Sequence, residues 1–179
     1  MQYEIRKMKR DDCKGGARVV TLSWNQTYKG IVNDDILNNM YNTEEQRATN
    51  SYNNFNEEDN HQLVLIVNDD IVGFVNVGVT DEAEFSGYGE LFAIYILKEY
   101  HGYGFGKKLF LAGAEEMKNL GFNKFIVGCL SENPSNDFYK HMGGKLVKQR
   151  IFEKLQLPEN VYYFENLKWN INYVENRTT

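Results

Sequence analysis

Apolar and polar positions alternate with the period of a strand at both ends of the chain and give way to helical spacing between them. Tyr3 to Met8, YEIRKM, predicts a first strand. Asp11 or Asp12 then offers an N-cap to a helix that carries Ala17, Val20, Leu22 and Trp24 toward an interior, with Gly15 and Gly16 blurring its start. Gly30 breaks that pattern, and Asp34 or Asp35 offers another cap. Asn38 to Asn60 is polar and rich in asparagine, so it predicts only a short helix around Thr43 to Ser51, within either a mobile cover over a site or a surface connection. HQLVLIV (His61 to Val67) and IVGFVNVGV (Ile71 to Val79) flank Asn68-Asp69-Asp70 and predict an antiparallel hairpin.

The rest of the chain is organised around GELFAIYILKEYHGYGFG, Gly89 to Gly106. The apolar run Leu91 to Leu97 reads as a buried strand, and the glycines after it precede a helix bearing Leu109, Ala112, Met117 and Leu120 that ends near Gly121. Lys124 to Leu130 is the next strand, so strand, crossover helix and strand predict a parallel pair at the centre of a mostly antiparallel sheet. Phe138, Tyr139 and Met142 fit a short helix ending at Gly143-Gly144. Lys145 to Phe152 and Val161 to Leu167 then predict a second hairpin around a polar turn that contains proline. The fold class expected is α/β in the α+β sense: a mixed, mostly antiparallel central sheet flanked by helices, in one domain over residues 1–179 with a polar tail over 168–179.

Composition narrows the function classes. A net charge of −5 gives no reason to expect a nucleic-acid partner, and no apolar stretch reaches membrane-spanning length or forms a signal peptide, so the expected location is cytoplasmic. Cys13 and Cys129 make no disulfide framework, and His61, His101 and His141 make no metal motif. Cys129, inside FIVGCL, reads as a buried small side chain, while Trp24 and Tyr28 read as sheet packing or as substrate contacts. Backbone N–H groups at Gly102, Gly104 and Gly106, with the first turn of the following helix, could converge on a diphosphate. Read alone, the same glycines fit a tight, closely packed strand–helix connection equally well.

Gly89 through Gly144 resembles the GNAT superfamily of N-acetyltransferases. HGYGFG is similar to the family's Q/R-x-x-G-x-G/A loop through Gly104 and Gly106, with His101 in place of the usual Gln or Arg, and ENPSNDFYKHMGG is similar to its N-P-x-x-x-F-Y segment. The resemblance implies acetyl-CoA as co-substrate and CoA as product, with the pantetheine arm entering a splay between the parallel strands. It implies cofactor contacts at Leu91, Ile94, Tyr95 and Ile96 of the central strand. It implies a pyrophosphate wrap from His101 and Gly102 through Tyr103, Gly104, Phe105, Gly106 and Lys107, and further contacts at Asn133, Ser135 and Phe138.

The chemistry the resemblance implies is direct acetyl transfer to a primary amine on a small molecule, polyamine, aminoglycoside or peptide. Glu90 is the expected base, directly or through a water, and Tyr139 the expected acid for the departing thiolate; Glu84 is an alternative amine ligand from the preceding loop and His101 an alternative proton carrier. A non-catalytic CoA-binding or protein-interaction module of the same fold is the competing expectation. The C-terminal strands and their exposed edges offer a route to a homodimer.

Overall fold

A computed structural model describes residues 1–165 and places them around one seven-stranded sheet of order β1-β2-β3-β4-β5-β7-β6. The strands are β1 (Tyr3–Lys7), β2 (Gln62–Val67), β3 (Asp70–Val79), β4 (Gly89–Ile96), β5 (Lys124–Leu130), β6 (Lys145–Phe152) and β7 (Leu157–Glu165). Every neighbouring pair is antiparallel except β4 with β5, which is parallel, as the strand–helix–strand order predicts. The β2–β3 hairpin turns on Asn68 and Asp69, both at positive φ (50° and 71°), the conformation that matches the twist of the strands it joins.

The helices α1 (Cys13–Thr27), α2 (Asp34–Asn42) and α3 (Glu44–Asn53) cover one face of the sheet, and α4 (Phe105–Asn119) covers the other. Alternation along β3 divides the faces. Val75 and Val77 lie against Gly113 of α4, where a Cβ would come within 3.0 Å of Val75, while Phe74 and Asn76 look toward α1 and α3. Leu109, Phe110 and Met117 of α4 are fully buried with Phe125 and Phe164 in the main core, and Phe125 stacks on Phe164 at 4.9 Å.

The short helix expected around Thr43 to Ser51 is α3, and the segment is more regular than predicted only because α2 reaches into it as far as Asn42. No residue of α3 is buried, so the segment has no apolar stripe to read. Its end is held by hydrogen bonds, Arg10 donating to the carbonyls of Tyr52 (2.6 Å) and Phe55 (2.7 Å). β7 also begins earlier than predicted: Pro158 belongs to the strand, past the last β5–β7 pair at Leu130 and Glu159, where a proline removes no ladder bond to β5. The predicted end of that strand at Leu167 and the tail over 168–179 lie outside the described residues.

The short helix α5 (Asn136–His141) is fastened by its first residue. The buried Asn136 amide donates to the carbonyls of Leu130 (2.8 Å) and Asn133 (2.6 Å), and its oxygen accepts from Tyr162 (2.8 Å) and Asn160 (2.8 Å). One side chain thus ties the end of β5, the following loop and β7 together. Removing it strands several buried polar atoms at once, so Asn136→Ala is expected to lower stability by about 2–4 kcal/mol, read from the midpoint of urea unfolding.

Candidate functional site

β4 and β5 pair at only two positions, Gly89 with Phe125 and Glu90 with Ile126, and then part. A bulge at Phe92 contributes: the β3–β4 register runs Asn76 with Ala93 and then Val77 with Leu91, leaving Phe92 as the extra residue that bends the strand. The opening is a cavity of about 330 Å³, bordered by β4 from Glu90 to Ile96, by Gly128 to Leu130 of β5, by Trp24 and Tyr28 of α1, and by Tyr139 of α5.

The predicted site residues fall into two groups. Glu90, Leu91, Ile94, Tyr95, Ile96, His101, Asn133, Ser135 and Tyr139 all border the cavity. Gly102, Tyr103, Gly104, Phe105, Gly106 and Lys107 form the β4–α4 connection and the first turn of α4 outside that lining. The Phe105 side chain is buried against Tyr3, so only its main chain is available to a ligand. Phe138 packs edge-on against Phe110 and beside Gly106, where it supports the loop from beneath.

Two of the loop glycines are required by the backbone and not by packing. Gly102 and Gly104 have φ of 83° and 76°, and a Cβ on either would meet nothing within 4 Å. They are needed for left-handed backbone, not for close packing. The turn delivers the chain into α4 with the N–H groups of its first turn lacking intrahelical acceptors. His101 ties the same turn back to the strand: its Nε2 stands 2.9 Å from the Ile96 carbonyl oxygen, which can only accept, so the ring carries its proton on Nε2.

Glu90 sits where the strands part and is buried, with Thr80 donating to its carboxylate at 2.7 Å. Burial pushes its pKa up; the Thr80 bond opposes that shift, and the nearby Asp81 and Glu159 carboxylates reinforce it. Tyr139 is also buried, stacked on Tyr162, and burial holds its hydroxyl proton well above the ordinary tyrosine range. Trp24 donates to the Tyr95 hydroxyl at 3.0 Å, so it both packs and borders the cavity. Asn133 accepts from the Ser135 amide at 2.8 Å and donates to the Tyr28 hydroxyl at 3.4 Å, so its side chain shapes the turn before α5 while it borders the cavity.

Other residues at the site carry no motif. Glu159 is buried at the cavity wall and accepts from Arg150 Nε at 3.1 Å, and Arg150 also pairs with Glu82. An acid at an inward position of the strand alternation, beside Val161, is the signal that could have found Glu159. Glu84, the alternative amine ligand, is ion-paired with Lys148 at 2.5 Å and does not border the cavity. Burial raises the Cys129 thiol to about 12, so it stays protonated and is no nucleophile near neutral pH. Among the described residues there is no group of side chains suited to a metal ion and no helix long and apolar enough to cross a membrane.

A mixed sheet that opens between its two parallel strands, with a left-handed glycine turn leading into a helix beside the opening, is the architecture of an acetyltransferase-type fold. The chain belongs to the acetyltransferase (GNAT) family, whose model matches residues 22–143. It is 31% identical over 156 residues, covering 83% of this chain and 84% of the relative, to the uncharacterized N-acetyltransferase YuaI of Bacillus subtilis. In fold it is similar to the PaiA N-acetyltransferase of Thermoplasma acidophilum in complex with coenzyme A (TM-score 0.74, 20% identity, 92% of this chain and 99% of that one). It is also similar to Ard1 of Thermoplasma volcanium (TM-score 0.69, 13% identity, 94% of this chain and 100% of that one).

The two kinds of glycine in the loop separate by mutation. Gly104→Ala forces a Cβ into left-handed backbone and is expected to cost about 1–2 kcal/mol. Gly106→Ala, whose Cβ would stand 3.6 Å from Phe138 in ordinary contact, is expected to be neutral or stabilising because it lies in a helical turn. Urea unfolding of both variants checks the contrast.

Proposed function

We propose that the chain binds acetyl-CoA in the opening between β4 and β5 and transfers the acetyl group directly to a primary amine. The observation that carries this reading is the parting of the strands after Glu90, which leaves main-chain donors and acceptors of β4 bordering a cavity that has a buried carboxylate at its closed end. The residues present fit the co-substrate. The left-handed turn at Gly102 and Gly104 and the start of α4 suit a pyrophosphate, and the free edge of β4 suits the amide groups of a pantetheine arm. The CoA-bound PaiA structure supports the same assignment by fold.

When bound, acetyl-CoA supplies an acyl thioester, whose C–S bond breaks as the amine nitrogen forms the new C–N bond. Glu90 takes the proton that the amine must lose, directly or through a water. Its raised pKa makes it a stronger base than an exposed carboxylate. Tyr139 donates to the departing sulfur. Its burial keeps the hydroxyl protonated until a thiolate forms beside it, and Phe138, Phe110 and Tyr162 hold the ring in place. Main-chain N–H groups of the bulged strand would stabilise negative charge on the carbonyl oxygen.

A thiol-release assay over an amine panel, paired with calorimetric titration of CoA, tests the reading; CoA binding with no release from any amine would leave a CoA-binding module instead. Glu90→Gln is expected to lower turnover by about 100-fold or more and to abolish the acid limb of the pH–rate profile. The sign follows from the direction of the shift: with the carboxyl pKa raised, the base is lost to protonation at a higher pH than an ordinary carboxylate, and activity recovers as pH rises through that value. Tyr139→Phe is expected to lower turnover on the order of 100-fold while CoA still binds, because the ring packing survives and only the proton donor is gone. An unchanged turnover would remove its assigned role.

A further inference from the structure

Ala93 borders a second cavity as well as the one that holds Glu90. This second space, about 370 Å³, lies between α1 and α3 and the sheet face carrying Gln62, Phe74 and Asn76. Arg47 of α3 is the single charged side chain on its wall among the described residues. The guanidinium is half-buried, and its hydrogen bonds go to neutral oxygens: Nη2 donates to Thr21 Oγ1 at 2.6 Å and to the Met40 carbonyl at 2.8 Å, and Nε to Thr43 Oγ1 at 3.4 Å. Burial pushes its pKa down, with Glu44 alone opposing the shift. A partly desolvated cation is ordinarily paired, and here the wall of the cavity supplies amides and apolar carbons instead of a carboxylate.

We propose that this cavity is an oxyanion subsite for the acceptor: Arg47 receives a carboxylate or phosphate carried at the far end of a molecule whose primary amine lies at Glu90 and whose body passes Ala93. The inference rests on the acetyl-transfer reading and adds a substrate class to it. A planar guanidinium fixed by Thr21 and Met40 presents its remaining N–H groups in one orientation, which suits an oxyanion. Phe74 and Val20 give the linking carbons an apolar surface. The cavity offers no acidic side chain among the described residues, so a polyamine finds no counter-charge at this end.

The test compares ω-amino acids and ω-aminoalkyl phosphates of increasing chain length with n-alkylamines of the same length, in the thiol-release assay and in calorimetric titrations with and without CoA. Wild type is expected to favour one of the acidic series by about tenfold or more in kcat/KM at a chain length that spans the two cavities, and the series favoured distinguishes carboxylate from phosphate. Arg47→Gln should reduce that ratio toward one. Because Arg47 also ties α3 to α1, Asn76→Asp is the second variant: it leaves those ties in place, puts a carboxylate into the cavity and should reduce the same ratio. Transfer to amines with no preference for an acidic group, or a ratio unmoved by both variants, overturns the subsite and leaves the transferase standing. If no amine releases thiol, the transferase reading fails and the titration decides the subsite: heat with the acidic amines that Asn76→Asp abolishes supports it, and heat that is absent or unaltered refutes it.

Discussion

Two parallel strands that stop bonding to each other after two residue pairs leave a row of main-chain N–H and C=O groups without sheet partners. Such groups are costly to bury unless something satisfies them, and most proteins close the gap with another strand. Here the gap is kept open. The Phe92 bulge bends β4 away, β7 pairs along the far edge of β5, and α5 is pinned by Asn136 between the end of β5 and β7. The fold thereby leaves a hydrogen-bonding edge of β4 along the cavity, the edge that the proposed function assigns to the amides of acetyl-CoA.

The same opening sets the electrostatics. Glu90 lies at the last paired position, sheltered enough to be desolvated yet facing the cavity, and Thr80 supplies one hydrogen bond without neutralising it. Glu159 is nearby but already engaged by Arg150, which Glu82 holds from the other side. Two acids on one wall therefore have different work: one is matched to a fixed cation and shapes the wall, and the other has only a neutral partner and can exchange a proton.

Much of this was legible before any coordinates. The strand order, the parallel pair and the helix after the glycines follow from periodicity and crossover rules, because long amphipathic or buried segments state their own environment. Glu90 and Tyr139 came from the resemblance, and both border the opening. What the sequence concealed was set by tertiary contacts. α3 falls where a short helix was expected, but it has no buried residue, and the Arg10 bonds that hold its end span more than forty positions, so no local pattern announces how it is attached. Pro158 read as a turn because its local meaning is punctuation, and only its place beyond the β5 ladder lets it sit in a strand. Asn136 was one asparagine in an asparagine-rich chain, and its importance lies in the carbonyls and hydroxyls that converge on it.

Those tertiary contacts also make the proposed site for an acidic acceptor compatible with a chain of net negative charge. Net charge acts over distances that salt screens, whereas a guanidinium in a narrow, partly dry space acts on whatever enters it. Arg47 borders a cavity with no carboxylate on its wall among the described residues, while Glu82 and Glu159 are paired with Arg150. In the proposed reading, an amine at Glu90 meets a carboxylate that takes its proton, and its far end meets a cation with no carboxylate partner on the cavity wall among the described residues. The sheet face between them, from Glu90 past Ala93 to Asn76, is thus polarised along its length in the sense opposite to the chain's overall charge at the Arg47 end. Selectivity on this scaffold is a matter of which charges the fold leaves unpaired inside it.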